Sequence, residues 1–350
     1  MDLIELRDQI DDIDGQIVHL IEERMKVAEN VARYKIGIGK PVYDGEREKQ
    51  KIAKVKASAE NPKNANGIES VFRQLMASSR MRQYELIAEE MEEDFGFMQT
   101  DAVRYDLKVA YQGAAGAYGH QAVHGFFGEN CDCYHVPTFE GVMREVALGR
   151  ATYGVLPVEN TSTGIITDVY DLMNSYDNYI VGEYVVKVEH ALLVLPDADL
   201  EDIRTVYSHP QGLMQCTNFL NQYPDWNQVS LLNTAVSAKK VSEDQLKGQA
   251  AVASALAGKI YGLKILEPAI NNNDNNSTKF IIVQHKKVFV PQANEISITF
   301  ELAHETGSLY YMLGFILHHN LNMTKIESRP IPGEKWRYRF FIDFEGNLND

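Results

Sequence analysis

Leu3, Leu6, Ile10, Ile13, Ile17, Leu20 and Ile21 recur at spacings of three and four, the period of an amphipathic helix. Gly37, Gly39 and Pro41 end the stripe, which predicts a helix of about 35 residues, or roughly 50 Å at 1.5 Å per residue. A second helix is expected over 45–59, before the break at Asn61-Pro62. A third starts near Ile68 and carries Val71, Phe72, Leu75, Met76, Leu86 and Ile87. A domain of residues 1–95 cannot bury both ends of so long a rod, so the pattern predicts helix pairing between chains.

After the acidic stretch 89–94 the period changes. Strands are expected at 107–111, 153–158, 179–188, 191–195, 205–208 and 280–283. Helices are expected at 120–127, 211–222, 235–247 and 250–260, with a polar loop over 271–276. Strands alternating with helices predict a largely parallel sheet with ligands at the strand ends. A last unit reads as strand 296–302, helix 308–319, strand 324–328, a Pro332-Gly333 turn and strand 337–344.

Composition narrows the class. The 350 residues are 45% hydrophobic and 24% charged, which excludes a disordered or collagen-like chain. The longest apolar run, 191–195, is far short of the roughly 20 residues that cross a bilayer. The N-terminus lacks the basic-then-apolar pattern of a secretory signal. Three cysteines are too few for a disulfide framework, so a cytoplasmic protein with no membrane partner is expected. A net charge of −15 argues against nucleic acid but leaves room for a small anion held by a few arginines.

Such a set lies in the helical region. Arg24 and Lys35 are 11 residues apart, about 20° around one helix, and share a face. Asp44, Arg47 and Glu48 cluster past the turn, and Ser79 and Gln83 sit at i, i+4 on the third helix. Each alone is ordinary surface polarity. Together they suit a dicarboxylate, because arginine grips carboxylates through two parallel hydrogen bonds. The segments LRDQIDDID, EERMKVAENVARYK, PVYDGEREK and SSRMRQYE resemble the all-helical chorismate mutases, intertwined dimers of three-helix chains. The resemblance implies a site of Arg7, Arg24, Lys35, Asp44, Arg47, Glu48, Ser79 and Gln83. In it, Lys35 and Gln83 donate to the ether oxygen of chorismate and Glu48 accepts from the ring hydroxyl. The rearrangement to prephenate needs no nucleophile, metal or cofactor, only a held conformer and stabilised charge.

The middle region opens with Gly113-x-x-Gly116-x-x-Gly119 after a strand, so a dinucleotide site has to be weighed. The spacing is not GxGxxG, and the nearest acidic residue, Asp132, lies between Cys131 and Cys133. Cys131, Cys133 and His135 suggest zinc on one strand face, but no fourth ligand is evident. Three other segments follow expected strands: Glu159-Asn160-Thr161-Ser162, Ser208-His209 with Gln215, and Thr278-Lys279-Phe280. Alone, each is turn or cap chemistry. Together they resemble the prephenate dehydratases, two α/β lobes of periplasmic-binding-protein type. That family implies Thr278 as donor to the departing ring hydroxyl. Asn160, Ser208, Gln215 and Glu159 position the substrate, and Lys279 stands where arginine is usual.

ETGSLYYMLGFI and NLNMTKIESRP resemble the ACT regulatory domain, an α+β ferredoxin-like unit. The resemblance implies L-phenylalanine as effector at Gly307, Ser308, Leu309, Tyr310, Asn322, Glu327, Ser328 and Arg329. This unit is expected to be C-terminally incomplete. The reading is therefore a mutase over 1–95, a dehydratase over 107–288 and a regulatory domain over 294–350, in a homodimer or larger homo-oligomer. A nicotinamide-dependent prephenate dehydrogenase and an inactive aromatic-amino-acid sensor are the rivals.

Overall fold

The computed structural model describes residues 2–91, 95–101, 108–302, 304 and 307–349. Two compact units divide the chain. The first holds 1–95 with 301–322 and 335–337, and the second holds 96–300 with 323–334 and 338–350. The residues expected as one domain over 294–350 are shared between them.

In the first unit, α1 (Leu3–Gly37) has the expected length. Asp2 caps it, accepting from the Ile4 and Glu5 amides at 2.8 and 2.9 Å, while the Asp2 amide donates to the Glu5 carboxylate at 3.0 Å. Then come α2 (Gly45–Ala57), capped by Asp44, and α3 (Ala65–Met91). Ala28, Ala32, Val42, Ile52, Met76 and Leu86 form its buried centre. Only the C-terminal part of α1 is covered. Leu3, Ile10 and Ile13 remain 62%, 56% and 55% exposed.

The second unit contains two α/β lobes. The first lobe is built from β1 (Met98–Gln99), β2 (Val109–Gln112), α4 (Tyr118–Phe127), β3 (Cys133–Val136), α5 (Phe139–Ala147), β4 (Tyr153–Asn160), β5 (Gly164–Ile165), α6 (Thr167–Met173) and β6 (Tyr179–Lys187). The chain crosses into the second lobe through β7 (Ala191–Val194), β8 (Thr205–Ser208), α7 (Pro210–Gln215), α8 (Thr217–Leu220) and β9 (Asn227–Ser230). That lobe closes with α9 (Thr234–Asp244), β10 (Gln249–Ala253), α10 (Ala255–Tyr261) and β11 (Lys264–Glu267). Strand β12 (Ser277–Gln284) returns to the first lobe, and β13 (Val288–Phe289) pairs with β1. The sheet orders are β3-β2-β4-β12-β6 and β11-β7-β10-β8-β9.

The expected parallel sheet is corrected to two mixed ones. Strands β2, β3 and β4 are parallel, and so are β8, β9 and β10. The strands beside the two crossovers, β6, β7 and β12, pair antiparallel. The expected helix over 250–260 is also corrected. Its first residues are β10, whose Ala250–Ala253 are wholly buried, and Ser254 caps the short helix that follows. A short apolar run buried on every side has no period to tell strand from helix. Helix 211–222 is broken at Cys216, while β9 and β11 were not expected. Leu107, taken as a strand residue, and residues 92–94 of the acidic stretch lie outside the described residues.

Strands β14 (Glu295–Glu301), β15 (Met323–Pro330) and β16 (Tyr338–Glu345) form a three-stranded sheet in the order β14-β16-β15. The intervening α11 (Ser308–His318) belongs to the first unit. There Phe315 meets Tyr84 edge-on at 5.4 Å, and His318 bonds Glu85 at 2.8 Å.

Candidate active sites

Three of the residues expected for the mutase come together inside the first unit. Arg24 donates to the Leu75 carbonyl at 2.9 Å and to Ser79 Oγ, and Ser79 also bonds the Leu75 carbonyl. Burial pulls the Arg24 pKa below its ordinary value. Gln83, one turn further along α3, is buried. Its amide nitrogen donates to the Ser79 carbonyl at 3.0 Å, and its oxygen has no partner among the described residues. An unpaired buried amide oxygen is costly, so this is a group held for something else to meet.

Lys35 donates to the Val42 carbonyl at 2.5 Å across the α1–α2 turn. Glu48 is paired with Arg80, whose guanidinium also lies over the Tyr43 ring. Arg80 was not among the expected residues. Its signal was the same SSRMR segment that supplied Ser79. Asp44 is occupied in capping α2, accepting from the Arg47 amide at 3.0 Å, while Arg47 itself is exposed. Arg7 is exposed on the same unbroken helix as Lys35, about 42 Å along it at 1.5 Å per residue.

In the second unit the centre is an amide–hydroxyl cluster. Thr278 lies directly opposite Asn160 across β12 and β4. Asn160 Nδ2 donates to Thr278 Oγ1 at 2.9 Å and to Asn276 Oδ1 at 2.8 Å. Asn160 Oδ1 accepts from the Ser162 and Thr163 amides, which fixes which end of the amide faces the threonine. Thr278 thus receives a hydrogen bond and keeps its own proton for an acceptor.

Glu159 and Lys279 are not brought to that pair. Phe280 faces Pro157 while Lys279 faces Glu159, so Val158 is an extra residue on β4. Side chains alternate across a strand and a bulge re-aims its neighbours. Thr278 and Asn160 share the face of Phe280, Ile282 and Val155. Lys279 and Glu159 share the opposite face, that of Ile281, Leu156 and Tyr170. Lys279 there pairs with Glu183 at 2.8 Å.

The second-lobe residues approach through the crossovers. Gln215 Oε1 bonds His190 Nε2 at 3.0 Å, and His190 Nδ1 lies 3.0 Å from the Tyr118 hydroxyl of the first lobe. The Gln215 amide nitrogen is thereby turned away from His190. Burial lowers the His190 pKa, against a smaller upward pull from Gln215. The His190 amide donates to Asn271, and the Val188 amide to the Asn276 carbonyl, so the two crossing segments are bonded to each other. Ser208 is buried and donates to the Val252 carbonyl at 2.7 Å.

Chorismate mutase type II matches residues 6–84 and prephenate dehydratase matches residues 109–288. The bifunctional chorismate mutase/prephenate dehydratase of Enterobacter agglomerans is 33% identical over 356 residues, covering 99% of this chain and 89% of that protein. This chain belongs to the bifunctional chorismate mutase/prephenate dehydratase family. It carries both activities, converting chorismate to prephenate and prephenate to phenylpyruvate. Among solved structures, a prephenate dehydratase in complex with L-Phe from Arthrobacter aurescens has a TM-score of 0.64 at 24% identity, over 69% of this chain and 82% of that one. GqqA, described as a quorum-quenching acylase, has the same TM-score at 30% identity, over 69% and 88%.

Of the three glycines weighed as a dinucleotide loop, Gly116 has a packing role between the lobes. Gly116 has φ +85°, and a Cβ there would stand 2.6 Å from Ala257 Cα, so the glycine lets the first-lobe loop touch α10. Ser254 and Tyr261 bond the Gly116 and Ala115 carbonyls from the second lobe. His135, weighed as a zinc ligand, is exposed. The ligand atoms that do converge are those of His120, His124 and Cys133, within 4.8 Å of one another. The two histidines form a hydrogen-bond chain with the Gly116 amide. The Gly116 amide donates to His120 Nδ1 at 3.0 Å, so His120 Nε2 holds the ring proton and gives it to His124 Nε2 at 2.8 Å. An ion on His120 would have to break that chain. Burial, and then the neighbouring His124, push the His120 pKa down to about 4.

Sequence reading missed Tyr118, which lies inside the glycine-spaced loop, Asn276, which ends the polar loop, and His190, an isolated polar residue with no motif around it. Of the expected regulatory residues, Gly307 has φ +88° and precedes α11, and Ser308 and Leu309 are half-buried. Tyr310 and Asn322 are exposed, and the Tyr310 hydroxyl accepts from Gln74 at 3.0 Å. Arg329 holds Asp171 through two bonds, Glu327 is half-buried and Ser328 is exposed. Among the described residues, no helix is long and apolar enough to cross a membrane.

Proposed function

We propose that Arg24, Lys35, Asp44, Arg47, Glu48, Ser79 and Gln83 of one chain, with Arg7 of a second, hold chorismate, and that Thr278 drives the dehydration. The buried Gln83 amide nitrogen, which gives one hydrogen to the Ser79 carbonyl and has a second to donate, supports the first part. Chorismate carries two carboxylates for the arginines and an ether oxygen on which charge grows as the bond breaks. Lys35 and the free hydrogen of Gln83 Nε2 meet that oxygen, and donors aimed at developing charge act most strongly in a site shielded from water. The exposed apolar stripe of α1 supports the second chain, because leaving it in water forgoes about 25 cal/mol for each Å² it could bury.

The Asn160–Thr278 bond carries the dehydratase reading. In prephenate the C–C bond to the ring carboxylate breaks, its electron pair enters the ring, and the ring hydroxyl leaves as water. Thr278 donates to that hydroxyl. Its own acidity is low, so the Asn160 amide, by donating to the same oxygen, stabilises the charge left on it. Gln215 and Ser208 position the substrate from the second lobe. Glu159 and Lys279 act from behind the strand rather than on the substrate directly. Both reactions run without metal or cofactor, in the cytoplasm.

A change at Gln83 separates donor from bystander. A neutral amide needs no added proton, so mutase activity should hold from mildly acidic to mildly basic pH. Gln83→Glu donates only while protonated, so its activity should rise steadily as pH falls toward the ordinary glutamate pKa of about 4.3. A flat profile for that variant removes Gln83 from the ether oxygen.

L-Phenylalanine is proposed as the feedback effector, bound by Gly307 to Tyr310, Asn322, Glu327, Ser328 and Arg329. The support is the sequence of those segments and a structural relative solved with L-Phe. Titration calorimetry with L-phenylalanine should give a saturable heat, with loss of dehydratase activity and retention of mutase activity. No heat and no inhibition would end this reading.

A further inference from the structure

Two basic residues on one face of β15 reach β4 and α6 from behind the Asn160–Thr278 pair. Lys325 Nζ donates to Glu159 Oε2 at 3.1 Å and bonds the Tyr170 hydroxyl, lying 5.0 Å from the centre of that ring. Four residues on, Arg329 grips Asp171 at 3.1 and 2.8 Å. Glu159 and the Tyr170-Asp171 pair are the two ends of the segment that contains Asn160. One strand therefore ties down both ends of that segment.

The bulge at Val158 is what makes this contact consequential. It turns Glu159 onto the face of Tyr170 and leaves the next residue, Asn160, pointing at Thr278. Glu159 and Asn160 stand back to back at the end of β4. A shift of one carries the other with it. Exposed ion pairs add little, but here the Lys325 side chain is only 16% exposed against 42% for Glu159, and the same ammonium is held by the Tyr170 hydroxyl and ring. Burial works to lower the Lys325 pKa, but Tyr170 and Glu159 outweigh it and hold it above the ordinary lysine value.

We propose that Lys325 is a positioning residue for the dehydration step: by clamping Glu159 against Tyr170 it fixes the end of β4, and so the distance from Asn160 to the Thr278 hydroxyl. This rests on the Asn160–Thr278 reading given above. It also makes β15 the route by which a change in the C-terminal sheet reaches the reacting group. No contact between Lys325 and substrate is required.

The test is steady-state kinetics with prephenate on Lys325→Met, Lys325→Arg, Glu159→Gln and the Lys325→Met/Glu159→Gln double variant, in the full chain. A misplacement approaching 1 Å costs up to about a hundredfold, so a partial slip should lower kcat about tenfold for Lys325→Met. KM should change less than about twofold, and mutase activity should stay unchanged. Arginine should restore most of the loss, and the double variant should be no worse than the worse single one, because both changes break one link. An unchanged kcat, an arginine no better than methionine, or losses that multiply would each overturn the proposal. If Lys325→Met does not give folded chain, Glu159→Gln breaks the same pair and carries the same kinetic expectation. Thr278→Val run alongside separates two failures. Full dehydratase activity there removes the Asn160–Thr278 reading, whereas an inactive Thr278→Val beside a normal Lys325→Met removes only the role of Lys325.

Discussion

Thr278→Val should abolish phenylpyruvate formation while chorismate still becomes prephenate. Valine keeps the shape of threonine and removes the hydroxyl that Asn160 bonds at 2.9 Å, so the loss is chemical. Removing the proton donor should cost on the order of 10²-fold or more in kcat. The Asn160 amide nitrogen keeps the Asn276 side-chain oxygen at 2.8 Å and the Ser277 carbonyl at 3.1 Å as acceptors for its two hydrogens, so stability should change little. The two chemistries use residues of different compact units, so mutase activity in the same preparation reports that the first unit is intact, and an unchanged circular dichroism melt reports the same for the second. Loss of both activities, or of neither, contradicts the assignment.

Arg7→Ala and Lys35→Ala should each lose nearly all mutase activity, yet together they should recover part of it. Both residues lie on α1, and an arginine reaches only about 7 Å from a backbone on which they stand roughly 42 Å apart. If both meet one small substrate, they come from different chains, and each site is built from two. Unfolding and refolding the two variants in equal amounts should make about half the dimers mixed. In a mixed dimer one site takes Lys35 from one chain and Arg7 from the other, and the second site lacks both. Activity should therefore return to about a quarter of wild type. Mixed dimers that form but stay inactive would make Arg7 a surface residue.

The helical unit was legible because a stripe of period 3.6, an acidic N-cap and a glycine-proline end are all local signals. Ala28 and Ala32, buried one turn apart, carry that stripe into the core where α1 meets α3. The α/β lobes were legible as alternation and not as topology. Nothing near β12 says that it returns to lie antiparallel between β4 and β6, because that follows from two crossings of the chain between lobes. Ser254 inside AAVASALAG was the available cap signal for the strand–helix break. Pro157 was the available signal for the bulge, since proline inside a strand marks an edge or an irregularity. Without the bulge Glu159 reads as a neighbour of Thr278, and with it the two side chains face opposite ways. His190 had no local signal. Its role is visible only when Tyr118 and Gln215, far away in sequence, close on its two ring nitrogens.

The central claim is that one chain performs both reactions in series. It is tested most directly by giving chorismate alone to the purified protein and following chorismate, prephenate and phenylpyruvate together over time. Prephenate should rise and fall while phenylpyruvate accumulates to match the chorismate consumed, with no nicotinamide added. Prephenate accumulating one for one with no phenylpyruvate, or chorismate left unconsumed, would contradict it.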